Sequence, residues 1–308
     1  LGITATSGPG VALKAEALGL AIIAELPLVI INVQRGGPST GLPTKTEQSD
    51  LLQAMYGRNG EAPMPVIASA TPGDCFYAAY EACRIAVKYM TPVMLLTDGY
   101  LANGSEPWQV PQLDELKDFD VSFADESNLT DGEFMAYTRD KKTLARPWAI
   151  PGTEGLEHRI GGIEKEDLTG NVSYDPDNHH YMVETRAKKV DTVAQDFGPT
   201  EIFGDAHGDL LILSWGGTKG SCRSAAEALQ ADGQKVSHVH LRWVHPFPND
   251  LGEILIKFKN VLMPEINYGQ LIKMVRAEFL IDAKGLNQVR GKPISSSDIQ
   301  QAAKDLIG

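Results

Sequence analysis

One arginine stands where an apolar run meets a glycine-rich loop, and its side chain could bind a small anion. Residues 27–44 read PLVIINVQRGGPSTGLPT, with Arg35 directly after the apolar run and hydroxyl groups at Ser39, Thr40 and Thr44. A guanidinium is a planar fork of N–H donors that matches a carboxylate or a phosphate. The glycines would let the backbone approach a ligand closely. Two interpretations stay open: an anion-binding loop, or a surface turn with a solvated arginine.

A second loop of small residues lies upstream. Residues 4–10 read TATSGPG, between a predicted strand and a predicted helix. The N–H groups at such a helix start could hold an anion or the polar edge of a ring, although small-residue turns are common in α/β proteins. Ligands of open α/β sheets bind at the carboxyl ends of the strands. Both loops are expected there, on neighbouring strands.

The elements that must position these loops alternate between strand and helix, which predicts an α/β fold with a doubly wound, largely parallel sheet. The predicted strands cover 2–6, 27–33, 63–70 and 91–101, and the predicted helices cover 11–25, 46–57 and 71–90. The strand at 91–101 is almost continuously apolar, as strands buried on both faces are.

Composition changes after residue 111, and the α/β pattern returns near residue 209. Residues 112–197 are polar and lack long apolar runs, which predicts a connecting segment that ends in a helix at 178–195. Further strands are predicted at 209–214, 235–241 and 260–263, and further helices at 225–233, 249–258 and 298–307. We therefore expect a first domain at 1–111, the connecting segment at 112–197, and a second, smaller α/β domain at 198–308.

Charge and composition exclude several classes of function. A net charge of −12 argues against nucleic acid as the main partner. No apolar run approaches the ~20 residues of a membrane span, and no signal peptide is expected, which favours the cytoplasm. Three cysteines are too few for an iron–sulfur cluster. Cys75 and Cys83 fall in a helical pattern and are predicted to be buried free thiols.

Other polar motifs lack the spacing of a known site. A group of acids and histidines in the connecting segment fits no zinc signature, so no metal site is predicted; its members are Glu157, His158, Asp175, His179 and His180. WGGTKGSC at 215–222 looks like a phosphate loop but lacks the full P-loop pattern. WVHPFP at 243–248 and PEINYGQL at 264–271 are interpreted as packing or subunit-contact elements.

Taken together, these motifs resemble those of a known family. TATSGPG, NVQRGGPSTGLPTKTEQSDLL (32–52) and TPVMLLTDGYL (91–101) are similar to the α subunit of the 2-oxoacid:ferredoxin oxidoreductases, most of all the 2-oxoglutarate type. The similarity continues through GLEH and YDPDNH to HPFP and PEINYGQL, and so covers nearly the whole chain. TSGPG is shared with other thiamine-diphosphate enzymes, whereas QRGGPSTGLPT is far more specific.

The resemblance implies a division of labour between subunits. The first domain would be the pyrimidine-binding domain of a thiamine-diphosphate enzyme, and the second a transketolase C-terminal-like domain. Thiamine diphosphate would be shared with a partner β subunit, which would hold Mg²⁺ and the iron–sulfur cluster. The reaction implied is CoA-dependent oxidative decarboxylation of a 2-oxoacid to an acyl-CoA and CO₂, with electrons passed to ferredoxin.

The resemblance also assigns roles to residues of this chain. Arg35, the predicted catalytic residue, would hold the 1-carboxylate of the substrate, assisted by Thr40 or Thr44. Ser7, Gly8 and Pro9 would border the cofactor ring. The family's catalytic glutamate lies upstream of TATSGPG, so the chain is expected to be the C-terminal part of a longer subunit with an incomplete first sheet.

Three alternatives remain at this point. The substrate could instead be pyruvate or a branched-chain or indolic 2-oxoacid, because no residue type here identifies a partner for a distal carboxylate. The chain could be a non-catalytic scaffold that assembles a β subunit. It could also be a fragment of an acetolactate-synthase-like thiamine enzyme.

Overall fold

The computed structural model describes residues 1–119 and 121–308, and it has the predicted α/β fold. The strands are β1 (Gly2–Thr6), β2 (Leu28–Gln34), β3 (Val66–Ala68), β4 (Pro92–Asp98), β5 (Leu129–Thr130), β6 (Glu133–Phe134), β7 (Ile202–Phe203), β8 (Gly208–Trp215), β9 (Val236–Leu241), β10 (Trp243–His245), β11 (Phe258–Glu265) and β12 (Lys284–Asn287). None of its helices is long and apolar enough to cross a lipid bilayer, within the residues described.

The helices are α1 (Gly8–Leu13), α2 (Ala15–Ile23), α3 (Leu51–Tyr56), α4 (Asp74–Tyr89), α5 (Gly99–Asn103), α6 (Pro176–Thr192), α7 (Lys219–Ala231), α8 (Leu251–Leu255), α9 (Gln270–Phe279) and α10 (Ser296–Ile307). Short 3-10 turns occupy Leu113–Glu115, Glu126–Asn128, Val193–Asp196 and Gly216–Thr218.

The first sheet has the strand order β1-β2-β4-β3-β10. Its first four strands are parallel, and β10 joins β3 in the antiparallel direction. All seven residues of β4 are buried, as its apolar run predicts. The carboxyl ends of β1 and β2 therefore lie side by side, so the loops that follow them start at the same edge of the sheet.

The second sheet has the order β12-β11-β8-β9-β7, with β7 antiparallel at its edge. Helices α7 and α10 pack on one face of it. On the other face, Leu213 and Met263 join the same hydrophobic core as Met94 and Leu96 of the first sheet. The two sheets thus share a core, and β10 comes from the segment 198–308. The division at residues 111 and 197 stays a prediction.

Most predicted elements are present, with corrections at the functional loops. The helix predicted at 11–25 is two helices, and the first begins at Gly8 because Pro9 suits the first turn of a helix. The helix predicted from Thr46 begins only at Leu51, because residues 46–50 bond to other parts of the chain instead. Strand β12 and helix α9 were not predicted. Of the two thiols predicted to be buried, Cys75 and Cys83 are each only partly buried.

The connecting segment is attached to the first sheet through a buried ion cluster. Glu25, at the end of α2, accepts hydrogen bonds from Arg139 at 2.6 and 2.7 Å and forms an ion pair with Lys189 of α6. Burial disfavours the charge of Glu25, but Lys189 and Arg139 outweigh that cost and lower its pKa to about 2. Helix α6 and the irregular chain before it are thereby held against the amino-terminal edge of the sheet.

The pKa of Glu25 makes this cluster pH-dependent. Because the folded-state pKa lies below its usual value of 4.5, the stabilisation is complete above about pH 4.5 and is lost as the pH falls toward 2. We expect Glu25→Gln to lower the free energy of unfolding by about 3–5 kcal/mol at pH 7, because it leaves buried cations without their partner. Urea unfolding at pH 7 measures the loss of unfolding free energy, and urea unfolding at pH 3 should show a smaller loss. Glu16→Gln, an exposed change on α2, the helix just before Glu25 in the chain, should change stability by less than about 0.5 kcal/mol. Equal stability of the two variants at pH 7 would contradict the assignment.

Candidate functional site

The two loops predicted to meet do line one cavity. It has a volume of about 490 Å³ and is bordered by Gly8 and Pro9 of α1 and by Arg35 after β2. The remaining lining residues are Ala12, Gly37, Pro38, Ser39, Glu47, Ser49, Asp50 and Gln53. Arg35 is the one cation among these lining residues, so the cavity offers a single strong anion partner.

Arg35 is half-buried and incompletely paired. Its Nε lies buried without a hydrogen-bond partner among the residues described. Its main-chain oxygen accepts a hydrogen bond from Ser49 at 3.0 Å, which holds the backbone at the cavity wall. A buried guanidinium N–H with no acceptor is costly, and a ligand that supplies an acceptor removes that cost.

Asp50 connects the two loops. Its carboxylate accepts hydrogen bonds from Asn32 at 3.1 Å and from Ser49, and its backbone N–H donates to Gln34. A Cβ at position 8 would lie 2.7 Å from the Asp50 carboxylate, so only glycine allows α1 this approach. The TSGPG motif therefore needs glycine at position 8 so that α1 can pack against Asp50.

The carboxyl groups of the cavity bind protons more readily than usual. Burial raises the pKa of Asp50, partly offset by the hydrogen bonds from Asn32 and Ser49 and by the charge of Arg35. Burial likewise raises the pKa of Glu47, where the Gly37 N–H opposes the shift. Both acids are thus suited to short-range hydrogen bonding with a ligand.

The loop after Arg35 closes on itself. The Gly36 N–H bonds to the Lys45 oxygen at 2.9 Å and the Leu42 N–H to the Gly36 oxygen at 2.8 Å. A Cβ on Gly41 (φ +48°) would lie 1.8 Å from the Gly36 oxygen. Thr40 and Thr44 are exposed on this loop, outside the set of cavity-lining residues. Ser7 precedes α1 without a side-chain capping bond and also lies outside that set.

The segment that carries Glu47 and Asp50 is fixed by the second sheet. Gln48 donates from Nε2 to the Trp215 oxygen at 2.7 Å, and its Oε1 accepts from the Ile266 N–H at 3.0 Å. The Gln48 backbone oxygen accepts from Asn267 at 2.8 Å. These bonds reach the carboxyl ends of β8 and β11, where helices leave toward opposite faces of the sheet. That crevice is a usual ligand position in α/β sheets, and here a piece of the chain's own first half fills it.

Two buried carboxylates complete this junction. Asp98 accepts hydrogen bonds from Thr46 at 2.9 Å and from the Gly217 N–H at 3.1 Å. Glu265 accepts bonds from Trp215, Asn267 and Leu271. Burial raises the pKa of both acids, against the opposing effect of these donors.

The acids and histidines of the connecting segment do not converge. His179 bonds to Glu164 at 2.8 Å, His180 approaches Glu184, and His158 bonds to the Leu156 oxygen. Asp175 caps α6 by accepting from the Asn178 N–H. Throughout residues 1–119 and 121–308, no group of three or more His, Cys, Asp or Glu side chains has a geometry that could hold a metal ion.

Several residues that shape the cavity have no role in the sequence-based predictions. Gln48 and Asp50 fall within the helix predicted at 46–57, Asn32 lies within the strand predicted at 27–33, and Gln34 directly follows that strand. Asn32 and Gln34 alternate on one strand, and both are almost fully buried. Buried polar side chains need partners, so this alternation in an apolar strand was a readable signal of a polar junction.

The fold and the cavity define an α/β protein with an arginine-bearing cavity at the carboxyl ends of parallel strands, and comparisons with known proteins identify the family. Residues 1–174 match the family model described as pyruvate flavodoxin/ferredoxin oxidoreductase, thiamine diphosphate-binding, and residues 208–299 match pyruvate:ferredoxin oxidoreductase core domain II. The chain belongs to the 2-oxoacid:ferredoxin oxidoreductase α-subunit family, which confirms the resemblance stated above.

Relatives and solved structures agree with this assignment. The chain is 50% identical to the 2-oxoglutarate oxidoreductase subunit KorA of Mycobacterium tuberculosis, covering 97% of this chain and 45% of the relative. It is 32% identical to the 2-oxoglutarate synthase subunit KorA of Archaeoglobus fulgidus, covering 92% and 73%. The chain thus spans less than half the length of the mycobacterial relative.

Among solved structures, a 2-oxoglutarate:ferredoxin oxidoreductase from Magnetococcus marinus, with 2-oxoglutarate, coenzyme A and succinyl-CoA bound, matches with a TM-score of 0.92. It is 34% identical, over 99% of this chain and 53% of that one. A split-gene transketolase matches at 12% identity with a TM-score of 0.50, which shows a shared fold.

The Gln48 junction predicts a specific loss of stability. We expect Gln48→Leu to lower the free energy of unfolding by about 2–5 kcal/mol, because the Trp215 oxygen and the Ile266 N–H lose partners while buried. Urea unfolding measures it. Gln109→Leu, the same change at an exposed position, should stay within about 0.5 kcal/mol of wild type. If both variants unfold at the same urea concentration, Gln48 does not hold the two sheets together.

Proposed function

We propose that this chain is the catalytic α-subunit part of a CoA-dependent 2-oxoacid:ferredoxin oxidoreductase that acts on 2-oxoglutarate. The observation that carries the proposal is the buried, unpartnered Nε of Arg35 in a cavity walled by Gly8 and Pro9. A 2-oxoacid carries the carboxylate that this guanidinium lacks. The relatives named 2-oxoglutarate oxidoreductase and synthase support the substrate.

Arg35 binds the 1-carboxylate of the substrate in this proposal, and Thr40 or Thr44 assists by hydrogen bonding. A charge-assisted pair orients the neighbouring keto carbon toward the cofactor ring. When CO₂ leaves, the negative charge of that carboxylate is lost, so Arg35 no longer holds the departing group. Arg35 therefore attracts the substrate but does not retain the CO₂ product.

Thiamine diphosphate fits the same cavity along the wall of α1. Gly8, Pro9 and Ala12 offer a surface without charged side chains for a flat ring, and the glycine leaves the Asp50 carboxylate close to that wall. Ser7, Gly8 and Pro9 would border the ring. When bound, the cofactor supplies a carbanion that adds to the keto carbon and accepts the electrons left by decarboxylation.

The remaining chemistry belongs to partners. We propose that a β subunit holds the diphosphate, Mg²⁺ and an iron–sulfur cluster, and that electrons pass from there to ferredoxin. The α-subunit names of the relatives support a multisubunit enzyme. We also propose that residues 1–111 act as the pyrimidine-binding domain and 198–308 as the transketolase C-terminal-like domain, joined by 112–197 in a cytoplasmic enzyme.

A second candidate keeps the family and widens the substrate. Aeropyrum pernix has a relative named 2-oxoacid:ferredoxin oxidoreductase 1, subunit alpha, that is 33% identical over 99% of this chain and 48% of its own length. That name does not specify one 2-oxoacid, so pyruvate or a branched-chain or indolic 2-oxoacid stays a candidate substrate. A scaffold without catalysis would not require the unpartnered Arg35.

Removing the guanidinium tests the catalytic proposal. We expect Arg35→Ala to lower kcat/KM for the 2-oxoacid by at least ~10²-fold, because a charged hydrogen bond in a closed site contributes several kcal/mol. CoA-dependent dye reduction by the assembled α/β enzyme measures it. Arg290→Ala, an exposed arginine in the second half of the chain, is the matched control and should keep wild-type activity. An Arg35→Ala enzyme as active as this control would refute the role.

A substrate panel tests the specificity. We expect kcat/KM for 2-oxoglutarate to exceed that for pyruvate by at least ~10-fold, since an enzyme specific for 2-oxoglutarate must pair its distal carboxylate with a group other than Arg35 and then rejects an analogue without that carboxylate. The same dye assay with 2-oxoglutarate, pyruvate, a branched-chain and an indolic 2-oxoacid measures the ratio. Equal or faster turnover of pyruvate would favour the second candidate.

A further inference from the structure

A second cavity lies at the carboxyl ends of β8 and β9, away from Arg35. Its volume is about 530 Å³, which lies in the range of sites for small organic ligands. Lys219 and Arg223 of α7 and His238 and His240 of β9 all line it. The proposed decarboxylation uses none of these four residues.

Two cations that line this cavity, Lys219 and Arg223, have no ion-pair partner among the described residues, whereas Arg242 pairs with Asp74. Neither Lys219 nor Arg223 forms an ion pair within residues 1–119 and 121–308. They are four residues apart, hence on one face of α7, in its first turns. Cations are unfavourable at the positive end of a helix. The first turn of α7 also has no acidic residue and no side-chain cap, so that turn supplies no counter-charge. The acids near these cations, in the part of the chain that the structure describes, form no ion pair with them: Glu106 is influenced by the charge of Lys219, and Glu81, Glu115, Asp196 and Glu201 line other parts of the cavity.

Arg223 is positioned in advance of any ligand. Its guanidinium lies over the Phe203 ring at 3.7 Å from the ring centre, which restricts its orientation. Its Nε is buried and has no hydrogen-bond partner among the described residues. A preorganised, unsatisfied donor of this kind loses little entropy when it binds an anion.

The two histidines add an acceptor beside these cations. Ser214 Oγ lies 2.7 Å from His238 Nε2 and 2.8 Å from His240 Nδ1, while the other nitrogen of each ring is buried and unpartnered. His238 is 1% exposed. Burial, with the charges of Arg223 and Lys219, lowers the pKa of His238 to about 3 and that of His240 well below its usual value, so both rings are neutral.

The single proton of the serine limits how these rings can be arranged. Ser214 can donate to only one of the two rings, so the other ring must donate to Ser214. A neutral ring that donates from one nitrogen has a bare lone pair on the other. At least one of the unpartnered nitrogens is therefore an acceptor, and a ligand that donates a hydrogen bond would satisfy it.

We propose that this cavity binds a phosphate group that carries a hydroxyl proton, either free hydrogen phosphate or the phosphate of a phosphomonoester. The negative oxygens pair with Lys219 and Arg223, and the P–OH donates to the bare histidine nitrogen. Sulfate has the same shape but no proton to donate at neutral pH. The room beside the cations, walled by Tyr77, Tyr80 and the stacked pair Phe197 and Trp243, fits the organic body of a phosphomonoester.

Isothermal titration of the full chain, purified with its partner subunit, tests the site with inorganic phosphate, AMP and sulfate at matched ionic strength and at about pH 6, where about half of a phosphomonoester carries its second proton. We expect phosphate or AMP to bind at least ~10-fold more tightly than sulfate, because sulfate leaves the histidine acceptor unpaired. Tighter binding of AMP identifies a phosphomonoester as the ligand, and tighter binding of phosphate identifies the free anion.

Substitutions test whether the phosphate ligand binds at this cavity. We expect Lys219→Gln and Arg223→Gln each to weaken the phosphate ligand about 10-fold to 100-fold, while Lys273→Gln, an exposed lysine of α9, leaves binding unchanged. The ligand-induced rise in Tm of each variant gives an independent readout. Equal affinity for sulfate and phosphate, or Lys219→Gln and Arg223→Gln variants that bind like Lys273→Gln, would overturn the proposal.

Discussion

The structure depends on one insertion: the Gln48 side chain and backbone occupy the crevice at the carboxyl ends of β8 and β11. Four hydrogen bonds join Gln48 to Trp215, Ile266 and Asn267, all of them buried. Buried backbone groups must be paired, so the two sheets can share a core only if this segment stays outside the helix that follows it. Because Ser49 and Asp50 follow directly, the second sheet determines where the cavity beside Arg35 lies.

The charged groups at the Gln48 junction and in the cavity beside Arg35 are arranged differently. Asp98 and Glu265 are held at the junction by N–H, hydroxyl and amide donors rather than by cations. In the cavity, Arg35 faces Asp50 and Glu47, whose pKa values burial raises. Asp50 and Glu47 do not satisfy every N–H group of Arg35. The guanidinium can therefore bind a substrate carboxylate.

The sequence predicted the α/β class, most strands and the meeting of the TSGPG and Arg35 loops, because these follow from apolar periodicity and from strand order. It did not predict the non-helical path of residues 46–50. Their helix-compatible composition is overridden by bonds to residues more than 160 positions away. The role of Gly8 was also invisible, since it depends on contact with Asp50 across the cavity. The local sequence pattern predicts the strands and helices, whereas hydrogen bonds between residues far apart in the chain determine the geometry of the cavity.

The most direct test of the account is a crystal structure of the assembled enzyme with thiamine diphosphate and 2-oxoglutarate. The account predicts that the 1-carboxylate lies within about 2.7–2.9 Å of two Arg35 nitrogens, Nε among them, beside the Gly8–Pro9 wall. A substrate carboxylate held by other residues, with the Arg35 Nε still unpartnered, would contradict it.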